Sequence, residues 1–303
     1  MIANPVPWPN GARVAVCFTW DLDADSLLHL MHPDTSYRRV ATQTLMRYGP
    51  EVAVPRIVEM CRRYGVKMTF FTPGWSVERY PRAIEHILEG GHELAHHGYL
   101  HENPNEQPPE QELYWLQRAS ESIRKASGRK PVGYRAPWFK YSEVTTDLLA
   151  TEGFLYDSTL MGDDVPYVLD SRSGRIIELP FHWAMDDYPQ YIQNDDLSYM
   201  MPIKAPNQAM EVWRAEFDAM WEYRGLWVTV WHPFNSGRLA RCHAVAKLVE
   251  YMHQKGGVWF ATTEAVARHV KQCIDDGSYQ PRVDRMPLYA ARIPELPADL
   301  HER

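Results

Sequence analysis

The sequence predicts a single-domain α/β protein whose parallel strands close, or nearly close, into a barrel. Three observations carry this reading. Short runs rich in β-branched and aromatic residues alternate with amphipathic stretches that end at glycine, six or seven such units follow one another, and no glycine-rich phosphate loop of the dinucleotide-binding kind appears. The 303 residues suffice for a sizeable core.

The elements follow in order. After a proline-rich lead, 13–20 is a buried strand, and extended alternation past Trp20 puts Ala15, Cys17, Thr19, Asp21 and Asp23 on one face. Residues 25–49 show no strong periodicity and are expected as a loop. A helix over 51–64 stops at Gly65, a strand covers 67–72, and a helix over 80–89 closes at Gly90 and Gly91 before a strand over 92–96. A helix over 108–127, a strand over 131–134 and a helix over 143–152 with Ser142 as its cap come next. Between 163 and 206 the alternation lapses into a stretch rich in Pro, Tyr and Asp, broken by one strand at 175–180. Such an insertion is expected as a lid or pocket wall. Alternation resumes with a helix over 208–224 capped by Asn207, a strand over 226–231, a helix over 239–254, a strand over 257–261 and a helix over 263–273. We therefore expect a barrel over 1–275 and a proline-punctuated arm over 276–303.

Charge and composition narrow the function. With 39 acidic and 32 basic residues the net charge is -7, which gives no footprint for nucleic acid or an anionic membrane. No basic region followed by an apolar run opens the chain, and no apolar run is long enough to span a bilayer. The expectation is a soluble, cytoplasmic protein. Cys17, Cys61, Cys242 and Cys273 stand singly and are expected as reduced packing residues.

The chemistry gathers around the segment that runs from Gly91 to Pro104. His97 and His101 stand at metal-ligand spacing, and a third ligand is available from Asp21 or Asp23. His96 with His101 is the other pairing, but a strand beginning at His92 turns Glu93, Ala95 and His97 inward and His96 toward the helices, which favours His97. In parallel barrels chemistry collects at the C-terminal ends of the strands. Asp21, Asp23, His97, His101, Arg135 and His232 all fall there, from four distant parts of the chain. A divalent ion held by Asp23, His97 and His101 lowers the pKa of a bound water toward about 7 and polarises a carbonyl. Asp21 is then the general base, Arg135 its ion-pair partner, and His232 the acid for a departing nitrogen.

These motifs resemble the polysaccharide deacetylase superfamily (NodB homology, carbohydrate esterase family 4). Thr19-Trp20-Asp21-Leu22-Asp23 is similar to its first motif, His97-Gly98-Tyr99-Leu100-His101 to its histidine motif, Arg135-Ala136-Pro137-Trp138 to its arginine motif, and Val230-Trp231-His232-Pro233 to its last. The resemblance covers roughly 8–273 and implies a distorted (β/α)7 barrel. It also implies Zn2+ as the ion, with Co2+, Ni2+ or Mn2+ as alternatives, and an oxyanion site near Trp138. The strings 8–13, 97–104, 160–167 and 178–187 resemble the branch with Helicobacter-type peptidoglycan deacetylases, PuuE-type allantoinases and cyclic imide hydrolases, whose members tend to be homotetramers. Two departures from the wider family are Leu22 between the paired aspartates and His182. We expect Trp138, His182, Trp183 and Asp187 to contact substrate. The reading is hydrolysis of a non-peptide carbon–nitrogen bond in a small cyclic amide or imide. Its alternatives are N-deacetylation of an acetylated sugar and a non-catalytic binding protein on the same scaffold.

Overall fold

The computed structural model describes residues 1–289. Its strands are β1 (Val14–Cys17), β2 (Thr19–Asp21), β3 (Thr69–Thr72), β4 (Glu93–His96), β5 (Gly133–Tyr134), β6 (Tyr156–Asp157), β7 (Tyr167–Asp170), β8 (Arg175–Glu178), β9 (Gln193–Asn194), β10 (Tyr199–Met200), β11 (Leu226–Val228), β12 (Val258–Phe260) and β13 (Val283–Arg285). From β2 the parallel neighbours run β3, β4, β5, β6 and β8, and β1 lies between β11 and β12. Helices cover the outside, which makes the fold the α/β barrel of the (β/α)7 type that the sequence predicts.

The expected first strand breaks at Phe18, and this break distorts the barrel. Below it β1 pairs on both edges, whereas above it β2 pairs with β3 and meets Trp231 through a single bridge. The wall is completed by the inserted segment, where Val230 N donates to Met185 O at 3.0 Å and Asp187 N donates to Val230 O at 3.0 Å. That pairing brings Asp186 and Asp187 to the rim.

Alternation sorts the side chains into two cores. Val14, Val16, Phe18 and Trp20 pack outward against the helices, while Ala15 and Cys17 join Phe71, Ala95, Tyr156 and Val228 inside. The same parity carries Thr19 and Asp21 inward. All four cysteines are buried and unpaired with one another.

Several expectations need correction. Residues 25–49 are helical, as Ser26–Met31 and Val40–Tyr48 with a short turn at Ser36–Arg38 between them. Leu27, Leu28 and Met46 pack on Ile192 and Leu197 of the insertion and on Phe234, so these helices draw their stability from distant parts of the chain and not from periodicity of their own. The helix expected from 208 starts at Pro206, whose fixed φ and missing N–H suit the first helical position, so Asn207 lies inside the first turn. Ser142 precedes the helix Thr145–Thr151 by more than a cap position; its Oγ accepts from Val144 N at 3.2 Å and donates to Glu112. The insertion holds an antiparallel pair, β7 and β8, where one strand was expected. The arm adds β13 to that pair in parallel with β7, and residues 290–303 of it lie outside the described residues.

Candidate active site

The strand ends deliver the polar groups. Asp21 closes β2, and Asp23 follows it before the chain turns through Ala24 at a φ of 51°. His97 follows β4, and His101 lies four residues on with a φ of 75°. Trp138 and Phe139, at φ of 59° and 53°, also adopt the left-handed backbone. Non-glycine residues in that region cost energy, and these cluster around one rim.

His97 Nε2 is 3.5 Å from Asp23 Oδ1, and His101 Nε2 is 3.6 Å from Asp23 Oδ2. Tetrahedral ligands about 2.0–2.1 Å from a zinc ion are about 3.3 Å apart, so the three side chains are spaced to share one. Other features agree with a metal. His97 Nδ1 donates to the Arg135 carbonyl at 2.8 Å, which leaves the Nε2 lone pair for a ligand bond. Asp23 Oδ1 is buried without a hydrogen-bond partner among the described residues. Burial pushes Asp23 up to about 7, with Asp21 and Asp187 adding to the rise against His232 and Arg135. Burial also holds His97 and His101 well below the usual imidazole value, in the neutral form that binds metals.

His96 faces the other way. It is fully buried between Tyr134 and Phe154, with Nε2 3.1 Å from the Leu116 carbonyl.

Arg135 ties the base side together. It is fully buried; Nη1 donates to Asp21 Oδ1 at 2.7 Å and to Thr19 Oγ1 at 2.8 Å, while Nε and Nη2 bind Ser158. Its guanidinium lies 4.0 Å from the centre of the Phe71 ring. One residue therefore fixes the Asp21 carboxylate through its side chain and the His97 ring through its carbonyl.

His232 stands across the cavity, its Nε2 3.4 Å from Asp23 Oδ2. Its Nδ1 lies 2.7 Å from Asp187 Oδ1, whose other oxygen accepts from the backbone N–H groups of His232 and Ser236. Burial alone lowers an imidazole pKa, but Asp187, Asp23 and Asp186 outweigh it and raise His232 to about 10.

Asp21, Asp23, His97, His101 and His232 floor a cavity of about 550 Å³ including its mouth. Its apolar wall is Leu27, Trp138, Phe139, Trp183, Tyr188 and Tyr199. Trp183 is 53% exposed and packs edge-on to Phe139, so it marks the mouth.

Two expected substrate contacts, His182 and Asp187, lie off the cavity lining. The extended backbone at Phe181 and His182 sends Phe181 into the core and His182 outward, where Nε2 meets Glu216 at 3.3 Å, away from the cavity. Asp187 is wholly buried behind His232 and serves that ring. Asp186, Tyr188, Leu197 and Tyr199 line the cavity without having been singled out; the acidic and aromatic run at 185–191 signals the first two, and nothing in the sequence signals Leu197 or Tyr199.

Comparison with known proteins establishes the family and the fold. The polysaccharide deacetylase family model matches residues 47–156. A Mycobacterium smegmatis protein of known structure, described as a putative polysaccharide deacetylase, is 40% identical over 98% of this chain and 99% of its own, with a TM-score of 0.88. The peptidoglycan deacetylase of Helicobacter pylori is 29% identical over 250 residues, 73% of this chain and 84% of its own. The structure of PuuE allantoinase shares the fold at a TM-score of 0.78, with 22% identity over 90% of this chain and 94% of its own. The chain belongs to the polysaccharide deacetylase family.

Proposed function

We propose that the protein is a metal-dependent hydrolase that opens the carbon–nitrogen bond of a small cyclic amide or imide. Asp23, His97 and His101 would hold one divalent ion, Zn2+ by choice of ligands, with Co2+, Ni2+ or Mn2+ as substitutes. When bound, that ion supplies Lewis-acid polarisation of the substrate carbonyl and acidifies water.

The chain's own residues divide the proton work. Asp21, oriented by Arg135, takes the proton of the water whose oxygen adds to the carbonyl carbon. As the carbon–nitrogen bond breaks, His232 gives its Nε2 proton to the departing nitrogen, with Asp187 holding the opposite side of the ring. With Asp23 neutralised by a cation, one of the three carboxylates that raise His232 is offset, and its acidity moves toward neutral pH. Trp138 and Trp183 flank the bound ring.

The single observation that carries the substrate class is the aromatic wall over the acid and base, which suits a small ring better than a polymer in an open groove. We extend the reading to a barrel unit over 1–275 with its arm and to a cytoplasmic homotetramer, as the branch resemblance implies; no helix among the described residues is long and apolar enough to cross a membrane.

The test compares the metal-loaded protein on glutarimide and on an N-acetylglucosamine oligomer, alongside the Asp21→Asn variant. Ring opening that falls about a thousandfold in the variant, with metal content kept, supports the reading. Acetate release without ring opening overturns it in favour of the N-deacetylase, the activity named for the Helicobacter pylori relative.

A further inference from the structure

Tyr188 is a polar group in this cavity that the roles above leave without work. It opens the short turn Tyr188–Tyr191, and its backbone N–H donates to Asp186 Oδ1 at 2.8 Å, which fixes the start of that turn. Its ring packs against His232 at 4.6 Å and against Tyr199 at 5.5 Å. The hydroxyl is buried and has no hydrogen-bond partner among the described residues. A buried hydroxyl without a partner is uncommon and costs about 1–3 kcal/mol. Such a group in a cavity wall is the mark of a contact completed by a ligand. Burial, with Asp23 and Asp186 nearby, pushes the phenol well above its usual range, so it stays a donor at any working pH.

The location of Tyr188 says which part of a substrate it meets. His232 serves the departing nitrogen, and Tyr188 packs edge-on against the His232 ring. A donor on that side lies next to whatever the nitrogen carries beyond the bond that breaks. An imide nitrogen carries a second carbonyl there, whereas a lactam nitrogen carries a methylene and has nothing for the hydroxyl to bind.

We propose that Tyr188 is a specificity-determining residue whose hydroxyl donates a hydrogen bond to a second carbonyl, attached to the leaving nitrogen, in a small cyclic imide. This rests on the small-ring reading above and narrows it to rings with two carbonyls flanking one nitrogen. As the bond breaks, the nitrogen becomes a primary amide, and a hydrogen bond to its carbonyl oxygen also eases departure by drawing charge from the nitrogen.

The experiment compares Tyr188→Phe with wild type as metal-loaded protein, using glutarimide as substrate and 2-piperidone, the same ring with one carbonyl, as competitive inhibitor. Phe keeps the ring contacts with His232 and Tyr199, and a melting temperature no lower than wild type establishes that packing is intact. The proposal expects the KM for glutarimide to rise about tenfold while the Ki of 2-piperidone moves less than twofold. Equal rises in both constants, or none in either, would show that Tyr188 only packs against His232, and the proposal would fail with ring opening by wild type still standing. A wild type that opens no imide and releases acetate from the oligomer removes the small-ring reading first and this proposal with it.

Discussion

Replacing Asp187 by Asn changes one atom and removes the charge that holds His232. Asp187 Oδ2 accepts from His232 N at 3.0 Å and Ser236 N at 3.1 Å, so the amide oxygen of Asn must take that position. Its NH2 group then faces His232 Nδ1, where Oδ1 had accepted at 2.7 Å. A donor there forces Nδ1 to accept, the ring holds its proton on Nε2 as a neutral imidazole, and a neutral imidazole is a poor acid. The loss of a wrongly held tautomer in a serine protease is about 10⁴-fold, and we expect a drop in kcat of about 10³-fold here with metal content unchanged. Removing one partner of a buried pair costs about 3 kcal/mol, or about 6 °C in a chain of this size. The pH dependence has a definite sign. With a folded pKa of about 10 against 6.5 unfolded, His232 binds its proton more tightly in the native state. That stabilisation is complete below pH 6.5 and is lost as pH rises through about 10, so the gap in Tm between wild type and variant narrows across this window. Thermal melts and nitrogen NMR of the metal-free proteins report both quantities. A variant that keeps kcat within threefold and a Tm gap that does not depend on pH would refute the coupling.

Other perturbations separate packing from ligation. His96→Ala removes a fully buried ring and its bond to Leu116; it should cost about 3 kcal/mol yet retain one metal per chain. His97→Ala should lose the metal, and elemental analysis of both variants checks the assignment. A Cβ at Gly74 would lie 2.7 Å from the Ala119 backbone and 2.8 Å from the Tyr99 ring, where the helices Gly74–Arg79 and Pro109–Ser127 pack. Gly74→Ala should therefore lower stability by about 2 kcal/mol in urea titration, and an unchanged midpoint would contradict that packing.

What the sequence discloses follows from the range of the forces involved. The inward parity of Asp21 and His97, and the outward turn of His96, are local consequences of period-two geometry in strands buried on both faces. The helix ending at Gly65 is local too, since its left-handed φ of 66° is a glycine signature. The break at Phe18 is not, because it reflects which neighbours each half of the strand finds around the barrel. Helices within 26–48 escaped notice because their apolar side chains pack on residues of the insertion. The Asp187–His232 pair joins residues 45 apart, one of them in a segment without periodicity. His182 turns away from the cavity because the insertion's backbone direction, which sets the side its ring faces, is decided by its pairing with Val230, beyond the end of β11.

In the proposed function one divalent ion, held by Asp23, His97 and His101, is required for opening a small ring. The most direct test titrates the chelated protein with Zn2+ while following glutarimide ring opening. Turnover should stay at baseline without metal and rise linearly to a break at one equivalent per chain. Turnover that survives chelation, or that fails to appear at any zinc loading, would contradict it.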